Sequence, residues 1–204
     1  DAALIIGIDL QTDHQVAGFF LKRQNWGGTQ LITVSDQPNG LCPYCAVSLQ
    51  LSPGGYLDFV NGFLYARNIH MQINQKYYEK KLAAVLENTD MDANRLQKAA
   101  RLLADAVHPV IVIGGDFATE DNYEALLQLV LFAQGEGIPI LIIKGKANSL
   151  AAAQLHYKVE PDSKTIETAL IALGDETPND VLVERCKGIP SLIVYASYPS
   201  ALTE

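Results

Sequence analysis

The chain has 204 residues, enough for one large or two small domains around a sizeable core, with 49% hydrophobic and 19% charged residues. Its formal net charge of −8 is interrupted by no basic cluster, which argues against nucleic acid and against anionic membrane surfaces, since both need clustered Lys and Arg. No apolar run approaches the roughly 18–20 residues of a spanning helix, so direct membrane insertion is not expected. Three cysteines make no disulfide framework, and a reducing, cytoplasmic setting is the default.

In chain order, Ala3–Ile8 is a continuous apolar run around Gly7 and suits a buried parallel strand. The opening directly into a strand, with no initiator Met and no basic flank, and the close at Ala201–Glu204 read as cuts inside a longer polypeptide. Thr12 or Asp13 is placed to cap a helix whose apolar positions are Val16, Phe19, Phe20 and Trp26, stopped by Gly27-Gly28. Leu31–Val34 is a second, β-branched strand, completing a βαβ unit. After the turn-rich 35–40, Ala46–Leu51 alternates as a half-buried strand ended by Pro53-Gly54-Gly55. Two helices fill much of 56–87, and a clearer one spans about 90–107 behind the capping signature Thr89…Asp92, with Leu96, Ala99, Ala100, Leu103 and Val107 at helical spacing. Val110–Gly115 is a strand, 120–134 a helix and Ile138–Ile143 a strand; short helices are expected near 164–173 and 179–186, then a strand at Ser191–Tyr195.

This alternation predicts an α/β fold, a Rossmann-like, mostly parallel sheet with helices on both faces. The pattern breaks at 56–107 and 145–188, which divides the chain into a lobe over 1–135 and part of an adjoining α/β lobe over 136–204.

Ligands of such sheets sit at the carboxyl edge, with anions at helix N-termini. The strand exits at Gly7-Ile8-Asp9, Asp36, Gly114-Gly115 and Lys144–Ser149 are therefore the candidate ligand loops. The full G-x-G-x-x-G fingerprint of a free-standing dehydrogenase is absent, and a tight-turn glycine with a turn-forming Asp explains the first loop equally well. Cys42-Pro43-Tyr44-Cys45 matches the glutaredoxin active-site tetrapeptide. In that family the first Cys opens a helix, whereas here a strand pattern follows, and a pair of ordinary thiols is the plainer reading. The four histidines, His14, His70, His108 and His156, have no metal-ligand spacing. No catalytic residue and no metal ligand is assigned.

Taken together, several segments resemble the molybdopterin oxidoreductase superfamily of the dimethyl sulfoxide reductase type. They are Leu4–Asp36 with Gly7 and His14, Leu49–Gly54, Ala99-Ala100 through Gly114, and Lys144–Ala152 with Asn148. The resemblance implies that Gly7, Asp9, His14, Asp36, Gly114 and Asn148 surround the guanosine end of a molybdopterin guanine dinucleotide. Asp9 stands where that family has Asn, and Gln37-Pro38 replaces Pro-Arg after Asp36. An added carboxylate and a lost guanidinium both weaken phosphate binding. In this the chain is similar to the large iron–sulfur subunit of NADH–quinone oxidoreductase, with the formate dehydrogenase alpha chain as the nearest catalytic alternative. The resemblance implies a structural lobe of an electron-transfer oxidoreductase, with iron–sulfur clusters and a pterin belonging to the parent protein and no cofactor held by this piece alone. Its partners would be other domains of the same polypeptide and redox subunits, on the cytoplasmic side, including the inner membrane face when in a complex. A nucleotide-dependent dehydrogenase and a thiol-redox protein are the competing classes.

Overall fold

In a computed structural model, residues 1–12, 14–143, 166–174, 178 and 180–203 are described. The chain divides into two compact units, Asp1–Ser149 and Leu150–Glu204.

Unit 1 is built on a five-stranded sheet with the order β3-β2-β1-β4-β5. Its strands are β1 (Ala2–Ile6), β2 (Gln30–Ser35), β3 (Val47–Gln50), β4 (Pro109–Ile113) and β5 (Ile140–Ile142). Every pairing is parallel, with Ile6 opposite Val34 on one side and Ile113 on the other. This is the α/β, Rossmann-like architecture expected from the alternating pattern, with its topological switch point between β1 and β4. The helices are α1 (Gln15–Trp26), α2 (Tyr56–His70), α3 (Gln75–Glu87), α4 (Ala93–Ala104) and α5 (Tyr123–Glu136).

The larger core layer packs Leu4, Ile6, Ile32, Val34 and Ile111 against Phe59, Phe63, Leu96, Ala100 and Leu129 of α2, α4 and α5. On the other face Ala3, Ile5, Leu31 and Val112 meet Leu10, Leu41 and the flank of α1. All five residues of β1 are buried, as a strand covered on both faces requires.

Several expectations are corrected. The division falls after Ser149 and not after 135, because β5 is hydrogen-bonded into the first sheet. The segment near 164–173 holds a strand, β6 (Thr168–Gly174), in place of a helix: its Thr-Ala-Leu-Ile-Ala run pairs in parallel with β7 (Ser191–Ala196). The helix between them, α6 (Asp180–Cys186), lies where the sequence put it. In α1 the apolar side is reversed. Val16, Phe19, Phe20 and Trp26 are 73, 59, 55 and 79% exposed. The helix docks instead through Gly18, where a Cβ would meet Leu10 O at 2.4 Å, with Ala17 and Leu21 beside it. The residue before α1 is His14, whose side chain makes no cap bond, so the Thr12 cap is not formed; Asp13 lies outside the described residues. Before α4 the cap is Asp92, which accepts from Asn94 N and Arg95 N. Thr89 gives its hydroxyl to Val85 O of the preceding helix. Val107 lies beyond α4 and is exposed.

Candidate functional site

Parallel pairing brings the exits of β1, β2 and β4 to one edge. Gly7 N donates to Val34 O and Gly114 N to Ile6 O, each at 2.9 Å. Gly7, Gly114 and Asp36 are thus brought together as the ligand-loop reading requires.

What stands at the switch point is the chain itself. Gly7 adopts φ +64, and a Cβ there would lie 2.4 Å from both Cβ and N of Phe117. A Cβ on Gly114 would lie 2.2 Å from Ile8 Cβ and 2.3 Å from Gly7 O. Both glycines are therefore needed for backbone contact between the two exits. Asp116 N closes that contact by donating to Gly7 O at 3.1 Å. Phe117 is fully buried, with its ring 5.2 Å from that of Tyr56.

Tyr56 opens α2 and links it to the end of β2. Its hydroxyl donates to Asp36 Oδ1 at 3.2 Å and accepts from Asp36 N at 3.4 Å. Burial, and then the Asp36 carboxylate, push the Tyr56 phenol well above its ordinary value. Asp36 thus has its backbone and one carboxylate oxygen engaged by the protein.

Asp9 is turned to a local task as well. Its Oδ1 accepts from Gln11 N at 3.0 Å, while its carbonyl accepts from Thr12 N at 3.2 Å, an Asx turn that shapes the β1–α1 loop. Asn39 pins the same loop from the other side, donating to Ile8 O and accepting from Leu41 N, both at 2.9 Å. Lys22 donates to Gln11 Oε1 at 2.9 Å and stands 4.7 Å above the Tyr44 ring. His14 borders an open, shallow cleft with Gln15 and Phe20, away from the switch-point contact. Asn148 lies outside the described residues.

Sequence reasoning missed Tyr56, Phe117, Asn39 and Arg95. Arg95 Nη1 donates to Ser48 O at 3.2 Å, and the residue borders a cavity of about 350 Å³ with Gln37, Asn39, Cys42 and Thr33. A second cavity, about 400 Å³, lies beyond β3 against Ser52, Gly54, Asp58, Glu87 and Asp90; its carboxylates oppose an anion. Among the described residues no group of three or more His, Cys, Asp or Glu is arranged to hold a metal ion, and no helix is long and apolar enough to cross a membrane.

No family model matches the sequence, and no curated protein matches it. Among solved structures, acetylene hydratase from Pelobacter acetylenicus is similar over 54% of this chain and 17% of its own, at 22% identity and a TM-score of 0.46. The match spans about a sixth of that enzyme's length.

Proposed function

We propose that this chain is a structural lobe of the large subunit of an electron-transfer oxidoreductase, of the kind found in NADH–quinone oxidoreductase, carrying the degraded nucleotide end of a pterin-dinucleotide site. One observation carries the reading: the switch point that a working nucleotide site keeps open is taken up by the Gly7–Gly114 contact and by Phe117. The carboxylates of Asp9 and Asp36 are engaged in holding their own loops, and both disfavour a phosphate there. The exposed aromatic side of α1 supports a larger parent, since a contiguous apolar surface marks an interaction face. In this reading the pterin, the iron–sulfur clusters and the redox partners belong to the rest of the assembly on the cytoplasmic side.

A second reading, a piece of a catalytic pterin enzyme that binds the guanosine end, is favoured by Arg95. Arg95 borders the same cavity as Gln37 and, with its Nε 3.5 Å from Asp92 Oδ2, is a cation of the kind that the sequence around Asp36 lacks.

Calorimetry separates the classes. The chain should bind neither NAD nor NADP; a dissociation constant below about 100 µM, roughly −5.5 kcal/mol, would replace the proposal with a dehydrogenase. Guanosine monophosphate binding of that strength by the unaltered chain, lost in Arg95→Ala, would favour the catalytic reading. Binding gained only in Asp9→Asn/Gln37→Arg supports a degraded site, because Asn keeps the acceptor for Gln11 N while removing the charge.

A further inference from the structure

The residues Cys42-Pro43-Tyr44-Cys45 form a 3₁₀ turn (Cys42–Tyr44) closed by Cys45 N donating to Cys42 O at 3.2 Å. Such a turn keeps its end Cα atoms within about 7 Å, and disulfides bridge Cα separations of about 4.4–6.8 Å. Pro43 holds the backbone of the second turn position, so the span is fixed before any bond forms.

Both sulfurs lie on the same side of the sheet. Cys42 Sγ is 2.9 Å from Ser48 Oγ, whereas Cys45 Sγ is hydrogen-bonded to Leu41 O at 3.1 Å and neighbours Thr33. Thr33 and Ser48 are register partners on adjacent strands, about 4.8 Å apart. Thr33 Oγ1, fully buried at the wall of the cavity that Cys42 also lines, has no aligned partner among the described residues. The two cysteines also differ in access. Cys42 is exposed and Cys45 is half-buried; burial raises the Cys45 thiol above its ordinary value.

We propose that Cys42 and Cys45 are a reversible dithiol that closes to an intramolecular disulfide across the turn, with a small soluble disulfide such as oxidised glutathione as oxidant. The Cys42 thiolate attacks one sulfur of the oxidant, the S–S bond breaks, and one thiolate leaves. Cys45, deprotonated in its turn, then attacks Cys42 Sγ in the mixed disulfide and expels the second thiolate. The chain loses two electrons and two protons, and the oxidant becomes two thiols. Asn39 accepts from Cys42 N at 3.1 Å and donates to Ile8 O at 2.9 Å, which ties the Cys42 turn to the β1–α1 loop.

The test equilibrates the whole chain in glutathione buffers, quenches with acid, alkylates, and maps the peptides by mass. A peptide containing both cysteines, lighter by two hydrogens and unreactive to alkylation, is expected. Its fraction should follow the ratio of oxidised glutathione to the square of reduced glutathione, because both glutathionyl groups leave. Cys45→Ser should give only the mixed disulfide on Cys42, with a first-power dependence. The fold should favour closure at least about tenfold over the same chain in denaturant, equivalent to about 30 mV for two electrons. Mixed disulfides alone in the unaltered chain, or equal closure with and without denaturant, would overturn the proposal.

Discussion

Gly7 and Gly137 share a left-handed backbone, φ +64 and +68, and differ in what surrounds them. A Cβ at Gly7 would press on Phe117 at 2.4 Å, while one at Gly137 would meet nothing within 4 Å. An alanine in this conformation costs roughly 1–2 kcal/mol, and the stiffer unfolded chain offsets about 0.4–1 kcal/mol. Both effects act at both sites and cancel in the comparison. What remains at Gly7 is overpacking, about 1–3 kcal/mol, and the upper half of that range applies because one of the struck atoms is backbone nitrogen with no rotamer to change. Gly7→Ala should therefore be less stable than Gly137→Ala by about 2–3 kcal/mol. For a unit of this size that is a melting-point difference of about 4–12 °C. Urea titration followed by far-UV circular dichroism reads it, with equal slopes confirming that the unfolded states are comparable. A difference below about 0.5 kcal/mol, the range of an ordinary surface change, would refute the close packing of Phe117 on the β1 exit, and the blocked-crevice argument with it.

Tyr56→Phe should cost about 0.5–1.5 kcal/mol at neutral pH, measured by the same titration, because Asp36 N and Oδ1 lose a partner. Its pH signature has a definite sign. The folded phenol is raised, so its contribution is fully present below the unfolded value near ~10 and is lost as pH climbs through the folded one. The alkaline loss of stability should accordingly be shallower in Tyr56→Phe than in the parent, and an unchanged alkaline limb would count against the burial of this hydroxyl. At the head of α4, Asp92→Ala should cost about 1 kcal/mol through loss of the two backbone bonds. Thr89→Ala should cost less by denaturant titration; equal losses would make Thr89 part of the cap.

The fold was legible where burial dominates. Ala2–Ile6 and Val110–Ile113 are apolar throughout, and Leu31–Ser35, buried along its length, is mostly so; a strand covered on both faces favours that composition. The meeting of Gly7, Asp36 and Gly114 followed from parallel pairing alone. Failures came where packing reverses a local pattern. The aromatic positions of α1 look like a core face, but Gly18 gives a closer approach to Leu10, and close backbone approach sets the rotation of the helix. Thr168–Gly174 joins β7 by long-range pairing, which no local window contains. Tyr56 and Phe117 were invisible as site residues because an aromatic in a helical or loop pattern carries no mark of what its tip or face will touch.

These misses share a cause with the functional reading. A nucleotide site at a switch point needs empty space bounded by backbone amides, and its sequence sign is glycine at the strand exits. Glycine equally permits a neighbouring loop to press against the strand, which is how Gly7 and Gly114 are used here: each faces an atom of its own chain nearer than any Cβ tolerates. The same two residues thus serve opposite outcomes, and here the backbone and Cβ of Phe117 at Gly7, with Ile8 at Gly114, take up the space. The backbone and Cβ of Phe117 lie on the β1 exit and its ring lies against Tyr56, while Asp36 is bound by that tyrosine and Asp9 by its own turn. The three strand-end loops then brace one another, and their site-like glycines and carboxylates serve contacts within the protein at an edge that it has filled.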